Sequence, residues 1–352
     1  MRKILPCAAV LVVFAMGDGS FISPLIAGGG GGGGGTPANF RWLGMLPGGR
    51  SSQAYEVNTN GSVLAGYASN ASGYYRAFRW TPTTPMQDLG DFGYTYAAAY
   101  GVSGNGSIVV GEAWNAQFEQ RAFRWTAATG LQDLGTLGGP YAVAADISAN
   151  GLVIVGQSYT ASSGTHAFRW TAATGMKDLG TLGGFESGAF GVSADGSVVV
   201  GRATDERGFF HAFRWTAATG MVYIGGPETG ESAAYSVSAD GSTVVGVGAA
   251  GNAFRWTAAG GMQNLGSLGG FGSAAYDVSD NGSVIVGDSD TSSGRRAFKW
   301  TAATGMRNLS TSYSIGSGSY LIYANAVSGD GVHVVGYGYN RSANRYEAYC
   351  TH

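Results

Sequence analysis

Ionisable side chains are scarce in this chain. Only 20 Lys and Arg and 22 Asp and Glu occur among 352 residues, which makes 12% charged and a net charge of −2. A nucleic-acid site needs a concentrated basic face, and docking on an anionic membrane needs clustered Lys and Arg; the composition provides neither. No apolar run reaches the ~20 residues that a membrane-spanning helix requires. The longest, Ile4 to Met16, follows Arg2 and Lys3 at the N-terminus, an order that reads as a secretory signal over residues 1–27. No membrane insertion is expected once that segment is removed. There are two cysteines, Cys7 and Cys350. Cys7 falls in the signal, so the mature chain has no internal disulfide, and Cys350 is read as a small buried apolar residue. Four histidines are present, with no Gly-x-Ser-x-Gly, His-Glu-x-x-His or Cys-x-x-Cys arrangement. No nucleophile elbow or metal motif is therefore expected, and neither a metal, a cofactor nor a catalytic residue is assigned. A sustained 3.6-residue apolar period is also missing, which removes helices from the reading.

Glycine, by contrast, is abundant, at 62 residues. Gly28 to Gly35 is an unbroken run, read as part of a flexible tether over residues 28–39. The other glycines keep fixed places in a repeat. Ala-Phe-Arg-Trp-Thr centres on Trp80, Trp125, Trp170, Trp215 and Trp256, and Ala-Phe-Lys-Trp-Thr on Trp300, at intervals of 45, 45, 45, 41 and 44 residues. A period of this length marks a repeat architecture, and a unit this small buries no core alone.

Each unit holds four short segments rich in Val, Phe, Trp and Tyr, separated by Asp-Gly, Asn-Gly or Thr-Gly turns. These are strand and hairpin signals. The glycines that close the second segment are Gly66, Gly111, Gly156, Gly201, Gly246, Gly287 and Gly336, so there are seven units. The chain is offset against its repeat. It begins with a fourth segment, Phe40-Arg41-Trp42-Leu43-Gly44-Met45, in which Trp42 stands where Asp178 stands. It ends with a degenerate third segment around Ala348-Tyr349-Cys350-Thr351. A linear β-solenoid has no use for that offset, whereas a ring closes through it and loses its open edge. The expected fold is all-β: a seven-bladed β-propeller over residues 40–352, in which strand 40–45 completes the last blade beside 346–351.

Within a unit, the turn after Thr171 is expected to set Thr171 opposite Met176. Trp170 then faces Lys177, Arg169 faces Asp178, and Phe168 faces Leu179. Phe168, Trp170 and Leu179 would share a packing face, with an Arg169–Asp178 ion pair on the other. The Trp series and this pair are read as structural.

The loops after the second and fourth segments vary, and a meander brings them to one side. They carry Tyr74, Tyr75, Trp114, Phe118, Tyr159, Phe209 and Phe210, then Tyr94, Tyr96 and Phe185. Aromatics of this kind suit a binding face for a glycan or a surface protein. Carboxylates on the same loops, among them Asp205, Glu206, Glu228 and Glu231, are the material from which a glycoside-cleaving pair would be assembled.

The segments His166-Ala167-Phe168 and His211-Ala212-Phe213, each followed by Arg-Trp-Thr-Ala-Ala-Thr-Gly-Met, and the later Asp-Leu-Gly-Thr-Leu-Gly-Gly, resemble the bacterial extracellular HAF repeat family. Four units depart at the His, with Arg76, Arg121, Asn252 and Arg296. The resemblance implies a secreted or cell-surface bacterial repeat protein and supplies no catalytic residues. The expectation is a monomeric, non-catalytic binding or structural module. The alternative is an extracellular carbohydrate-active enzyme, hydrolase or lyase, on the same scaffold.

Overall fold

The computed structural model describes residues 39–162, 164–225 and 230–352. The expected signal, the tether up to residue 38, and Glu228 lie outside the described residues. Those residues form seven four-stranded antiparallel sheets, each a meander, and one short 3-10 turn at Leu309–Thr311. The fold is a seven-bladed β-propeller. Six blades use four consecutive strands. In the seventh, Phe40–Trp42 is the outer strand beside Arg345–Thr351, Val334–Asn340 and Tyr320–Val327.

The closing strand is shorter than the sequence implied. It covers residues 40–42, with Phe40 opposite Thr351, Arg41 opposite Cys350 and Trp42 opposite Tyr349. Leu43 N–H to Ala348 O and His352 N–H to Asn39 O extend it at both ends, each 2.9 Å. Phe40 and Tyr349 are buried and stack at 5.9 Å, and Trp42 meets both edge-on. On the channel side the ring is sealed again, where Asn325 Nδ2 donates to Ala54 O at 2.7 Å.

Apolar clusters sit between blades. Phe78, Phe123, Phe168, Phe213, Phe254 and Phe298 are each essentially inaccessible, and Tyr349 takes the same column in the seventh blade. Trp80, Trp125 and Trp300 are buried, while Trp170, Trp215 and Trp256 are half-buried at the outer edge. The glycines that close the second strands allow close backbone approach. A Cβ on Gly201 would lie 1.9 Å from Gly188 O, so no other residue fits that column.

The turn register corrects the sequence reading. Thr171 pairs with Gly175, Trp170 with Met176, Arg169 with Lys177 and Phe168 with Asp178. The loop has three residues, and Gly175 takes φ +65° as the first residue of the next strand, the arrangement of a type I turn with a glycine bulge. A shift of one moves every side chain to the other face. Met176 therefore joins Phe168 and Trp170, while Leu179 packs with Phe213 in the next interface.

The expected Arg169–Asp178 pair is consequently not formed. Asp178 Oδ2 lies 2.8 Å from His166 Nδ1. The same acidic column takes Arg76 at Asp88, 3.1 Å, and faces Arg121 at Asp133, 3.7 Å. In these three blades the His position of the repeat is thus the true partner of its Asp, whereas Arg296, in a blade with Asn308 at the acidic position, donates to Arg295 O and Ser293 O. Arg169 instead reaches the next blade, its Nε and Nη2 both 3.3 Å from Gly196 O. Arg79, Arg214 and Lys299 make the equivalent bond to Gly106, Gly241 and Gly331.

Candidate functional site

The first strand of every blade lines the central channel. It starts at the variable loops and ends at the Asn-Gly or Asp-Gly turn on the opposite side. Three of these strands, 93–102, 138–147 and 183–192, run for ten residues. They lift their N-terminal ends to the loop face. Each first strand breaks register midway: Ala54 pairs with Gly66 and Glu56 with Ala65, leaving Tyr55 between them as a bulge. Bulges re-aim side chains, and this one puts Tyr55, Tyr100, Phe190, Tyr235 and Tyr276 in one column around the channel.

The rings touch in two arcs. One runs Tyr100, Tyr55, Tyr67, Tyr75, Tyr96, with centroid separations of 5.1, 5.6, 5.0 and 6.4 Å. The other runs Phe190, Tyr235, Tyr276, Tyr323, Tyr337, at 5.9, 5.7, 6.3 and 5.2 Å. Arg202 lies over Phe210 at 4.2 Å and Arg295 over Tyr323 at 5.7 Å.

The residue after each closing glycine forms a second column beside the first: Tyr67, Glu112, Gln157, Arg202, Val247, Asp288 and Tyr337. It differs in almost every blade, unlike the packing columns. Glu112 is 2% exposed and accepts from Tyr100 Oη at 2.7 Å and from the Gln120 amide. Burial pushes its pKa up to about 7, and the bond from Tyr100 holds it back in part. Asp288 is 3% exposed; Tyr276 Oη donates to it at 2.5 Å and Arg295 Nε lies 3.0 Å away. Burial raises it to about 6 against the Tyr276 bond and the Arg295 charge.

Nearer the turn face, the channel narrows to a cavity of about 100 Å³ lined by Glu56, Asp146 and Asp277. Asp146 and Asp277 also stitch blades together, while Glu56 accepts from Val57 N–H of its own strand. Asp146 accepts from Val192 N–H at 2.9 Å, and Asp277 from Val327 N–H at 2.8 Å and Ser236 Oγ at 2.6 Å. Burial raises Asp146 to about 7 and Asp277 to about 6, and raises Glu56 well above the ordinary carboxylate range.

The expected loop residues divide into three groups. Tyr75 and Tyr96 belong to the first arc, and Phe210 is held under Arg202. Tyr94 gathers Phe118 at 4.8 Å and Trp114 at 6.4 Å into a separate cluster on the blade that begins with strand 93–102, and Tyr159 packs on Tyr141 at 5.3 Å. Tyr74, Phe185 and Phe209 project from the loops, Phe185 being 83% exposed. Among the described residues, the loop carboxylates Asp205 and Glu231 are engaged by other partners. Asp205 accepts from the backbone N–H groups of its own turn and meets His211 Nε2 at 3.2 Å, while Glu231 accepts from Phe210 N–H. The tyrosine column of the first strands was overlooked in the sequence. Its signal is the recurring aromatic three residues before the Ser of Tyr-x-Val-Ser and Phe-x-Val-Ser, at Tyr100, Phe190, Tyr235 and Tyr276.

No protein-family model matches the chain, and no curated protein does. Among solved structures it is similar to TolB from Acinetobacter baumannii, at 12% identity and a TM-score of 0.51, over 71% of this chain and 63% of that one. It is also similar to a putative TolB from Agrobacterium tumefaciens, at 14% identity and a TM-score of 0.51, over 86% and 98% of the two chains. At these identities the likeness extends to the propeller fold alone.

Proposed function

We propose that this is a secreted or cell-surface binding module of the HAF repeat kind, non-catalytic and monomeric, which takes a glycan or an extended protein segment on the loop face of its channel. The observation that carries the reading is the pair of tyrosine arcs around the channel mouth, continuous through Tyr75 with exposed rings on the rim. Tyrosine offers a flat apolar face and a hydroxyl at low entropic cost, the combination that sugar rings and peptide edges both use. The non-catalytic reading is favoured because the buried carboxylates at the mouth, Glu112 and Asp288, are already engaged by tyrosine, amide and guanidinium donors.

A glycan array combined with a pull-down on cell-wall material tests this. The protein is expected to retain a defined ligand, and Tyr75→Ala, whose side chain is on the rim, to weaken it by tenfold or more. Complete silence on both assays, or release of reducing ends from a polysaccharide panel, would overturn the reading.

A further inference from the structure

Three residues break the repeat at the seam where the ring closes. His333 stands in a column otherwise filled by Val63, Ile108, Val153, Val198, Thr243 and Val284. Cys350 stands where six blades carry Arg or Lys, and His352 where they carry Thr. His333 and His352 thus occupy opposed positions on neighbouring strands, and Cys350 shares a face with His352 two residues earlier. The two Nδ1 atoms lie 3.0 Å apart, and the Cys350 sulfur and both imidazoles all fall within 4.8 Å of one another. The Arg-to-Gly clamp that joins most other blades has no counterpart from Cys350. In its place the His333 ring lies against Gly61, in the turn between strands Ser52–Val57 and Leu64–Ser69 of the adjoining blade, where an added Cβ would come within 2.1 Å of it.

From this we propose that His333, Cys350 and His352 form a binding site for a divalent transition metal ion of the zinc class, which ties together the last two strands at the closing seam. Two imidazoles and one thiolate are the ligand types such ions take, at about 2.0–2.1 Å for nitrogen and 2.3 Å for sulfur. Tetrahedral bonds of those lengths set the nitrogens about 3.3 Å apart and the sulfur about 3.5 Å from each, so the imidazoles part by a few tenths of an ångström and the sulfur, now within 4.8 Å, closes by at most about 1.3 Å. Three protein ligands leave one coordination position for water. Binding requires neutral imidazoles and a thiolate.

The test is titration of the purified, untagged protein with Co²⁺, then Zn²⁺, followed by absorbance. One equivalent of Co²⁺ is expected to give tetrahedral visible bands and a thiolate-to-cobalt charge-transfer band, both bleached by Zn²⁺. H333V restores the residue type of the other blades and should fold normally by circular dichroism, yet bind at least about tenfold more weakly. C350S should lose the charge-transfer band. Absence of binding, binding without a thiolate band, or unchanged binding in both variants would each overturn the site.

Discussion

The guanidinium of Arg169 and the carbonyl of Gly196 meet across a blade boundary, with Nε and Nη2 both 3.3 Å from the oxygen. This contact shows what the most repetitive charge in the chain does: in four blades, through Arg79, Arg169, Arg214 and Lys299, it links the third strand to the following blade. Arg169→Ala should destabilise the protein by about 1 kcal/mol, below the roughly 1.5–3 kcal/mol of a buried charged hydrogen bond because the group is only half-buried. Urea unfolding measures this. In a double-mutant cycle Arg169→Ala and Asp178→Asn should be additive within about 0.3 kcal/mol. His166 and Asp178 should couple by about 0.2–1 kcal/mol, the range for exposed pairs. Strong coupling of Arg169 to Asp178 would restore the register that the structure rejects.

A second expectation concerns pH. Burial raises Glu112 and Asp146 to about 7 and Asp277 to about 6, against unfolded values near 4. Between about pH 4 and pH 7 the folded chain holds protons that the unfolded chain has released. Stability from these groups is therefore greatest in mild acid and is lost as pH rises through the folded pKa values. The depressed carboxylates of the outer turns, such as Asp195 and Asp240, work in the opposite sense only below about pH 4. The urea midpoint should fall from pH 5 to pH 8, and Glu112→Gln should flatten that slope. A midpoint that climbs over the range would contradict the burial of these carboxylates.

Packing between blades gives a third. Phe123 and Phe168 are wholly buried, so truncation of either to Ala should cost about 3–5 kcal/mol. Truncation of Phe185, which is 83% exposed, should change stability by less than about 0.5 kcal/mol. Thermal unfolding of the three variants separates the cases; equal losses would mean that Phe185 is part of the core.

The blade count, the strand order and the closing offset were legible because glycine columns mark turns and close approaches, and those do not depend on neighbours. The offset of Phe40 to Trp42 against Ala348 to Thr351 implied closure from sequence order alone. The hairpin register was not legible. Gly175 belongs by its positive φ to the strand and by its composition to the turn, and one residue decides the facing of Arg169 and Asp178. The channel mouth was half legible. Tyr75, Tyr96 and Phe210 were found as loop aromatics. Tyr55, Tyr100, Tyr235 and Tyr276 read as ordinary strand residues, because their recurrence before Val-Ser or Val-Asn marks a column but not the bulge that turns it into the channel.

Closure of the ring by its own first strand is the claim on which the rest depends, and a cross-link measures it directly. Arg41 and Cys350 are opposite one another, and opposed residues in antiparallel strands have Cα atoms about 4.5–5.5 Å apart, inside the span a disulfide bridges. R41C, oxidised at high dilution and digested without reduction, should yield a peptide that joins positions 41 and 350 within one chain, and the bridged protein should resist urea better than its reduced form. Free thiols at both positions in the folded protein, with a bridge only between chains or after denaturation, would mean that the N-terminal strand does not close the seventh blade.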